Sequence, residues 1–189
     1  MVLLYDDFGG HDSKSLGLDE NAIEIFLDPG EYFVGDSSFK VRTLLGSCVS
    51  MVLWHPRMKY GAMSHFLLPT RKVGVDAAKA VGLQPMPEGK YADEALNLMV
   101  RELRQAKVPI HECVAKVFGG GNMFPGQKLS EHLNVGRRNG EAAKRLLQGL
   151  GLKIVAEDLY GNGHREIIFN LSNGDIWLRQ GRPMANPPT

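Results

Sequence analysis

A thiol becomes a hydrolytic nucleophile only when a neighbouring base takes its proton and a third group holds that base in the right tautomer. The chain offers two thiols, Cys48 and Cys113, and six histidines. Cys48 follows Gly46-Ser47. That pair suggests a tight turn that exposes the thiol and leaves backbone N–H groups free, as an oxyanion hole requires. The chemistry this permits is acyl transfer through a thioester, provided that the fold delivers an imidazole to the sulfur.

The elements around Cys48 suggest how. Val49 to Trp54 is an apolar run, His55-Pro56-Arg57-Met58 reads as a type I turn, and Tyr60 to Leu68 reads as a returning strand. If Trp54 and Lys59 close a four-residue loop, Cys48 directly opposes His65. Directly opposed β-carbons lie roughly 4.5 to 5.5 Å apart. A loop one residue longer or shorter would turn one partner to the other face. On these residues alone a structural alternative stays open. Gly-Ser-Cys is also an ordinary strand entry, and a free Cys often serves as a small buried apolar group. A histidine in an apolar strand also serves as a hydrogen-bonded core residue. If the pair forms, Cys48 is expected to titrate below the ordinary thiol value of about 8.5, and Cys113 is not.

Other candidates carry less. Gly119-Gly120-Gly121 lacks dinucleotide or Walker spacing and reads as a glycine-rich active-site loop or a tight turn. The cysteines and histidines show no short ligand spacing for zinc, and hydrolysis by a thiol–imidazole pair would need neither a metal nor an organic cofactor. Arg137 and Arg138 read as a solvated approach to a helix. Cys113 reads as buried and inert.

The remaining pattern supplies the scaffold. Strands are expected over 22–27, 32–34, 39–45, 113–118, 153–157, 166–170 and 176–178. Leu96, Met99, Val100 and Leu103 predict an amphipathic helix over 93–106 with Asp93 as N-cap. Ala143, Leu146, Leu147 and Leu150 predict a second helix ending at Gly151. Residues 69–89 read as a long loop. The fold class is α+β, with layered mixed or antiparallel β-sheets covered by helices. Residues 1–21 read as a loosely ordered leader, 22–180 as a single domain, and 181–189 as a Pro-rich tail.

With 189 residues and 43% hydrophobic content, the chain can bury a sizeable core. Its 22 Lys plus Arg against 21 Asp plus Glu give no basic face for nucleic acid. No signal peptide or membrane span is visible, and two cysteines make no disulfide framework. A cytoplasmic protein without membrane insertion is expected.

The blocks 43–49 (Thr-Leu-Leu-Gly-Ser-Cys-Val) and 61–69 (Gly-Ala-Met-Ser-His-Phe-Leu-Leu-Pro) resemble the CheD chemoreceptor glutamine deamidases. Tyr91–Ala95, Ala115–Met123, Val135–Asn139 and Ala156–Asp158 resemble that family's later blocks in the same order. The resemblance implies Cys48 as nucleophile, His65 as base and an upstream Thr as third member, with Thr43 the nearest candidate. In some relatives that Thr stands one residue further from the Cys, where this chain has Arg42, which cannot accept a proton bond from a histidine. Gly46 and Ser47 would support the loop or the oxyanion. The family's fold resembles that of cytotoxic necrotizing factor-type deamidases. The substrate it implies is glutamine on the cytoplasmic helices of methyl-accepting chemoreceptors, with receptor methyl esters open to the same thioester chemistry. A CheC-type phosphatase is an implied partner, and a non-catalytic regulatory role toward that phosphatase or the receptor is the competing reading.

Overall fold

In a computed structural model, residues 1–4, 21–71, 86–123 and 134–181 are described. Their strands are β1 (Val2–Leu4), β2 (Ile23–Phe26), β3 (Tyr32–Gly35), β4 (Phe39–Leu45), β5 (Val49–His55), β6 (Tyr60–Ser64), β7 (Val114–Gly119), β8 (Ile154–Leu159), β9 (Arg165–Asn170) and β10 (Ile176–Gln180). The helices are α1 (Ala92–Gln105) and α2 (Val135–Gly149). One sheet has the order β1-β10-β9-β4-β2 and the other β3-β6-β5-β7-β8, and both mix parallel with antiparallel pairs. The α+β layered class expected from the sequence is the class observed.

Burial periodicity explains the layers. In β4, Val41, Thr43 and Leu45 are fully buried while Arg42 and Leu44 point outward, a period of two with one face on a core. In β5 both faces are covered. Val49, Met51 and Leu53 pack with the helices, and Val52 packs with Val41, Leu45, Ile167 and Phe169 of the facing sheet. α1 and α2 therefore lie on the outer face of the β5 sheet, and the space between the sheets holds a separate apolar core.

Four boundaries differ from the sequence expectation, the first being the returning strand read over 60–68, which ends at Ser64 and continues only as isolated bridges at Phe66 and Leu68. Val2–Leu4, assigned above to a loose leader, pair in parallel with β10, and the terminal amine meets Asp175 Oδ1 at 2.8 Å. α1 is preceded by Tyr91, with no side-chain cap, and Asp93 lies within its first turn instead of capping it. Thr70 Oγ1 donates to the Asp93 carboxylate at 2.8 Å, so that oxygen is used by a neighbouring loop. α2 begins at Val135, capped by the Asn134 side chain accepting from Arg137 N at 3.0 Å, well before the apolar pattern that announces it. Most of the expected 69–89 loop and nearly all of the 181–189 tail lie outside the described residues.

Candidate active site

The inward face of β4 delivers Thr43 to the seam between the sheets, fully buried. β2 runs parallel to β4, and Leu27 N continues the pairing by donating to Arg42 O at 2.9 Å. The Leu27 carbonyl then accepts from Thr43 Oγ1 at 2.7 Å. Arg42 points the other way, to Glu166 Oε1 at 3.1 Å and over the Phe26 ring. Of the two positions weighed for the third member, only Thr43 faces the interior.

His65 follows β6 directly and is 2% exposed. Its backbone is fixed by Glu31 and Gly30, with His65 N donating to Glu31 O at 2.8 Å and Gly30 N donating to His65 O at 2.7 Å. On the ring, Nδ1 is 2.8 Å from Thr43 Oγ1 and 3.4 Å from Leu27 O. A carbonyl can only accept, and the single hydroxyl proton of Thr43 goes to that carbonyl, so Nδ1 carries the ring proton. The neutral imidazole then has its lone pair on Nε2. That atom is buried and makes no hydrogen bond among the described residues. An imidazole held in this tautomer with an unused lone pair has the atom that could accept a proton.

Cys48 is half-buried in the bend between β4 and β5. The carbonyls on either side of the thiol are all tied to other segments. Gly46 O accepts from Gly121 N at 2.8 Å, Cys48 O from Gly120 N at 2.8 Å, and Ser47 O from Asn139 Nδ2 at 3.1 Å. The 119–121 glycine run is thus a loop laid against the Cys48 bend. At Gly119, with φ at +116°, a Cβ would stand 2.3 Å from Cys48 O, so only glycine permits the approach.

The register between the two candidate residues is not the one expected. β5 and β6 pair His55 with Tyr60 and Trp54 with Gly61, and Val49 bridges Phe66. Carried through, this sets Ser50 across from His65 and Leu67 across from Cys48. The expected direct opposition of Cys48 and His65 is therefore wrong by two residues. The cause lies in the turn. His55 stays in the strand because its Nδ1 accepts from Met58 N at 3.1 Å and its carbonyl from Lys59 N at 2.9 Å, with Lys59 in a left-handed conformation, φ 50°. A shift of two keeps the face. Cys48 and His65 remain on the side of β5 and β6 that looks toward β4, as diagonal neighbours, with no hydrogen bond between them.

The electrostatics also differ from expectation. Burial pushes the Cys48 thiol above its ordinary value, opposed by its own backbone N–H, so the expected depression is not found. Burial likewise pushes His65 below its ordinary value, offset in part by the Leu27 carbonyl and by Asp28 and Glu31. Both shifts run toward the uncharged forms, thiol and neutral imidazole. Cys113, buried and close to Glu112, is pushed up to about 11, in keeping with an inert thiol.

A neighbouring cleft of about 380 Å³ is lined by Gly120, Asn122, Asn134, Arg137, Glu141, Tyr160 and Gly161 and contains neither Cys48 nor His65. The thiol and the imidazole face the seam between the sheets and not this cleft. Among the described residues no group of three or more His, Cys, Asp or Glu is arranged to hold a metal ion. No helix among them is long and apolar enough to cross a membrane. Two groups that touch this region were given no role by the sequence reading: the Leu27 carbonyl, which carries no side-chain signal, and Asn139, quoted only within the Val135–Asn139 block, whose position between Gly136 and Gly140 on one helix could have marked a close-packed polar contact.

Comparison with known proteins places this architecture. The family described as "CheD chemotactic sensory transduction" matches residues 67–180, the stretch just beyond His65. Similar proteins extend across the site. One from Albidiferax ferrireducens, named "Probable chemoreceptor glutamine deamidase CheD 2", is 53% identical over 163 residues, 86% of this chain and 90% of that protein. One from Pseudomonas savastanoi pv. phaseolicola, named "Probable chemoreceptor glutamine deamidase CheD", is 42% identical over 85% of this chain and 86% of its own length. A third from Chromobacterium violaceum, named "Probable chemoreceptor glutamine deamidase CheD 1", is 38% identical over 84% of this chain and 78% of its own length. This chain belongs to the CheD family.

Proposed function

We propose that this chain is a cysteine amidohydrolase that converts glutamine side chains on the cytoplasmic helices of chemoreceptors to glutamate, with Cys48 as nucleophile, His65 as base and Thr43 orienting His65. The observation that carries the reading is the proton accounting at His65. Thr43 Oγ1, 2.8 Å from Nδ1, fixes the tautomer that leaves Nε2 free. The names borne by the relatives support the substrate.

The chemistry follows from a neutral pair. As Sγ attacks the side-chain carbonyl carbon, the thiol proton passes to Nε2, and the imidazolium is stabilised through Nδ1 by Thr43 and Leu27 O. The oxyanion is received by the N–H groups of the Gly46-Ser47-Cys48 bend, whose carbonyls are held elsewhere. The imidazolium returns the proton to the amide nitrogen, ammonia leaves, and a thioester remains. Water then attacks with Nε2 taking its proton. Collapse restores the thiol and frees the carboxyl group. The same thioester forms from a receptor methyl ester with methanol as leaving group, and that activity belongs to the proposal. So do the cytoplasmic location, the single catalytic unit over 22–180, the likeness of fold to cytotoxic necrotizing factor-type deamidases and a CheC-type phosphatase as partner.

The test is intact-mass analysis of a receptor cytoplasmic fragment incubated with the protein. The expected result is the mass gain of amide to acid at specific glutamines, absent with Cys48→Ala. Restoration of chemotactic signalling by Cys48→Ala would instead favour the purely regulatory role.

A further inference from the structure

The polar side chain of α2 most completely buried is Asn139, at 0% exposure, and the deamidase reading gives it no role. Its Nδ2 makes two hydrogen bonds, to Ser47 O at 3.1 Å and to Leu67 O at 2.8 Å. Ser47 immediately precedes Cys48, and Leu67 lies two residues beyond His65. Both protons of one amide group are therefore spent on the two segments that carry the nucleophile and the base. Leu67 is also the residue that the β5–β6 register sets across from Cys48. The amide thus bridges the two chains beyond Val49 and Phe66, the last pair joined by backbone hydrogen bonds.

The helix is shaped for this reach. Asn is a short side chain, and from a helix packed at ordinary distance it would not meet a strand backbone. Gly136, one turn before, removes the obstacle. A Cβ there would stand 2.4 Å from Gly120 O, while one on Gly120 would stand 2.7 Å from Gly136 O. The two backbones touch, and α2 sits unusually close to the loop that also holds Cys48 O. Asn139 Oδ1 is buried without a hydrogen-bond partner. Leaving an acceptor unsatisfied costs about 1–3 kcal/mol, a cost that an apolar residue of similar size would avoid. The fold keeps the amide for its donors.

We propose that Asn139 is a positioning residue that fixes the Cys48 bend against the His65 segment through Ser47 O and Leu67 O. Val49 and Phe66 are the last pair joined by backbone hydrogen bonds; His65 lies one position inside that pair and Cys48 one position beyond it, so at the Cys48 end the described contact that continues the tie between the two segments is the Asn139 amide. Asn139 acts through them and touches no reacting atom. This rests on the reading of Cys48 and His65 as the catalytic pair.

The test uses the full chain carrying Asn139→Leu, matched in size and lacking donors, and Asn139→Ser, which keeps one donor and folds with less overpacking. Deamidation of a receptor cytoplasmic fragment is measured per folded molecule, alongside iodoacetamide labelling of Cys48 and thermal unfolding. The expected result is a kcat lowered roughly tenfold to a hundredfold in Asn139→Leu, less in Asn139→Ser, with KM within about threefold of the parent. Cys48 should be labelled at least as fast as in the parent, showing an accessible but misaligned thiol. A kcat per folded molecule within about twofold of the parent in Asn139→Ser and in any folded Asn139→Leu would overturn the proposal, leaving Asn139 a packing residue. Cys48→Ala is run in parallel. If that variant still deamidates, the underlying reading has failed; if it is inactive while the Asn139 variants turn over normally, only the positioning role has.

Discussion

His55 and His65 stand at opposite ends of one hairpin, 1% and 2% exposed, and their ring nitrogens are partnered in opposite senses. At His55, Nδ1 accepts from Met58 N at 3.1 Å, so the ring proton sits on Nε2, which lies 3.3 Å from Glu112 Oε2 in an ion-pair contact without hydrogen-bond geometry. Glu112 is held there by Arg57 as well. At His65, Nδ1 donates toward Thr43 and Leu27, and Nε2 is left with a lone pair. The same side chain, equally buried, anchors a turn in one place and is the proposed base in the other. What separates them is the partner of Nδ1, a backbone N–H for His55 and a hydroxyl already committed to a carbonyl for His65.

The largest effect that sharpens this contrast comes from truncating each ring. His65→Ala should lower deamidation by roughly a hundredfold to ten-thousandfold, the usual contribution of a general base. His55→Ala should leave kcat within a few-fold of the parent and cost about 1–2 kcal/mol of stability, seen in denaturant unfolding. If His55→Ala matched His65→Ala in lost turnover per folded molecule, the division of roles would break.

A smaller effect is expected one contact further out. Thr43→Val keeps the volume and removes the hydroxyl, so Nδ1 keeps only the weaker contact to Leu27 O at 3.4 Å. Turnover should fall roughly tenfold to a hundredfold, as for other groups that orient a functional imidazole, with KM little changed. Steady-state kinetics on the receptor fragment would check this. Unchanged kcat would place Thr43 in the core and not in the mechanism.

Much of this arrangement was legible in the sequence. The alternation of Val41, Thr43 and Leu45 against Arg42 and Leu44 is a strand signal, and it carries the choice of Thr43 over Arg42 with it. The helical stripe of α1 announced itself through Leu96, Met99, Val100 and Leu103. The register did not, because it depends on His55 accepting from Met58 N and on Lys59 adopting a left-handed backbone, neither of which residue type dictates. The first turns of α2 were silent for a different reason. Gly136, Asn139 and Gly140 are buried there but are not apolar, so a pattern search for hydrophobic spacing passes over them. The thiol's expected acidity failed because it assumed an ion pair, and burial without a hydrogen bond to the imidazole shifts both groups toward their neutral forms.

That neutral pair gives the mildest prediction, in pH. Burial holds His65 below its ordinary 6.5, so the base form persists into acid, and the acid limb of kcat/KM should fall below 6.5. Stability moves with the same sign. As pH drops through 6.5 the unfolded chain takes up a proton that the folded imidazole resists, so folding weakens from that point down to the lowered folded value. An acid limb at or above 6.5 in the free enzyme would mean a charged pair at rest.

The most direct measurement is the tautomer itself. Long-range nitrogen–proton NMR correlations in the 15N-histidine-labelled protein, assigned with His55→Ala and His65→Ala, report which ring nitrogen carries the proton at neutral pH. The account predicts the proton on Nδ1 in His65 and on Nε2 in His55. A proton on Nε2 of His65 would leave no lone pair for the Cys48 thiol and would contradict the mechanism at its base.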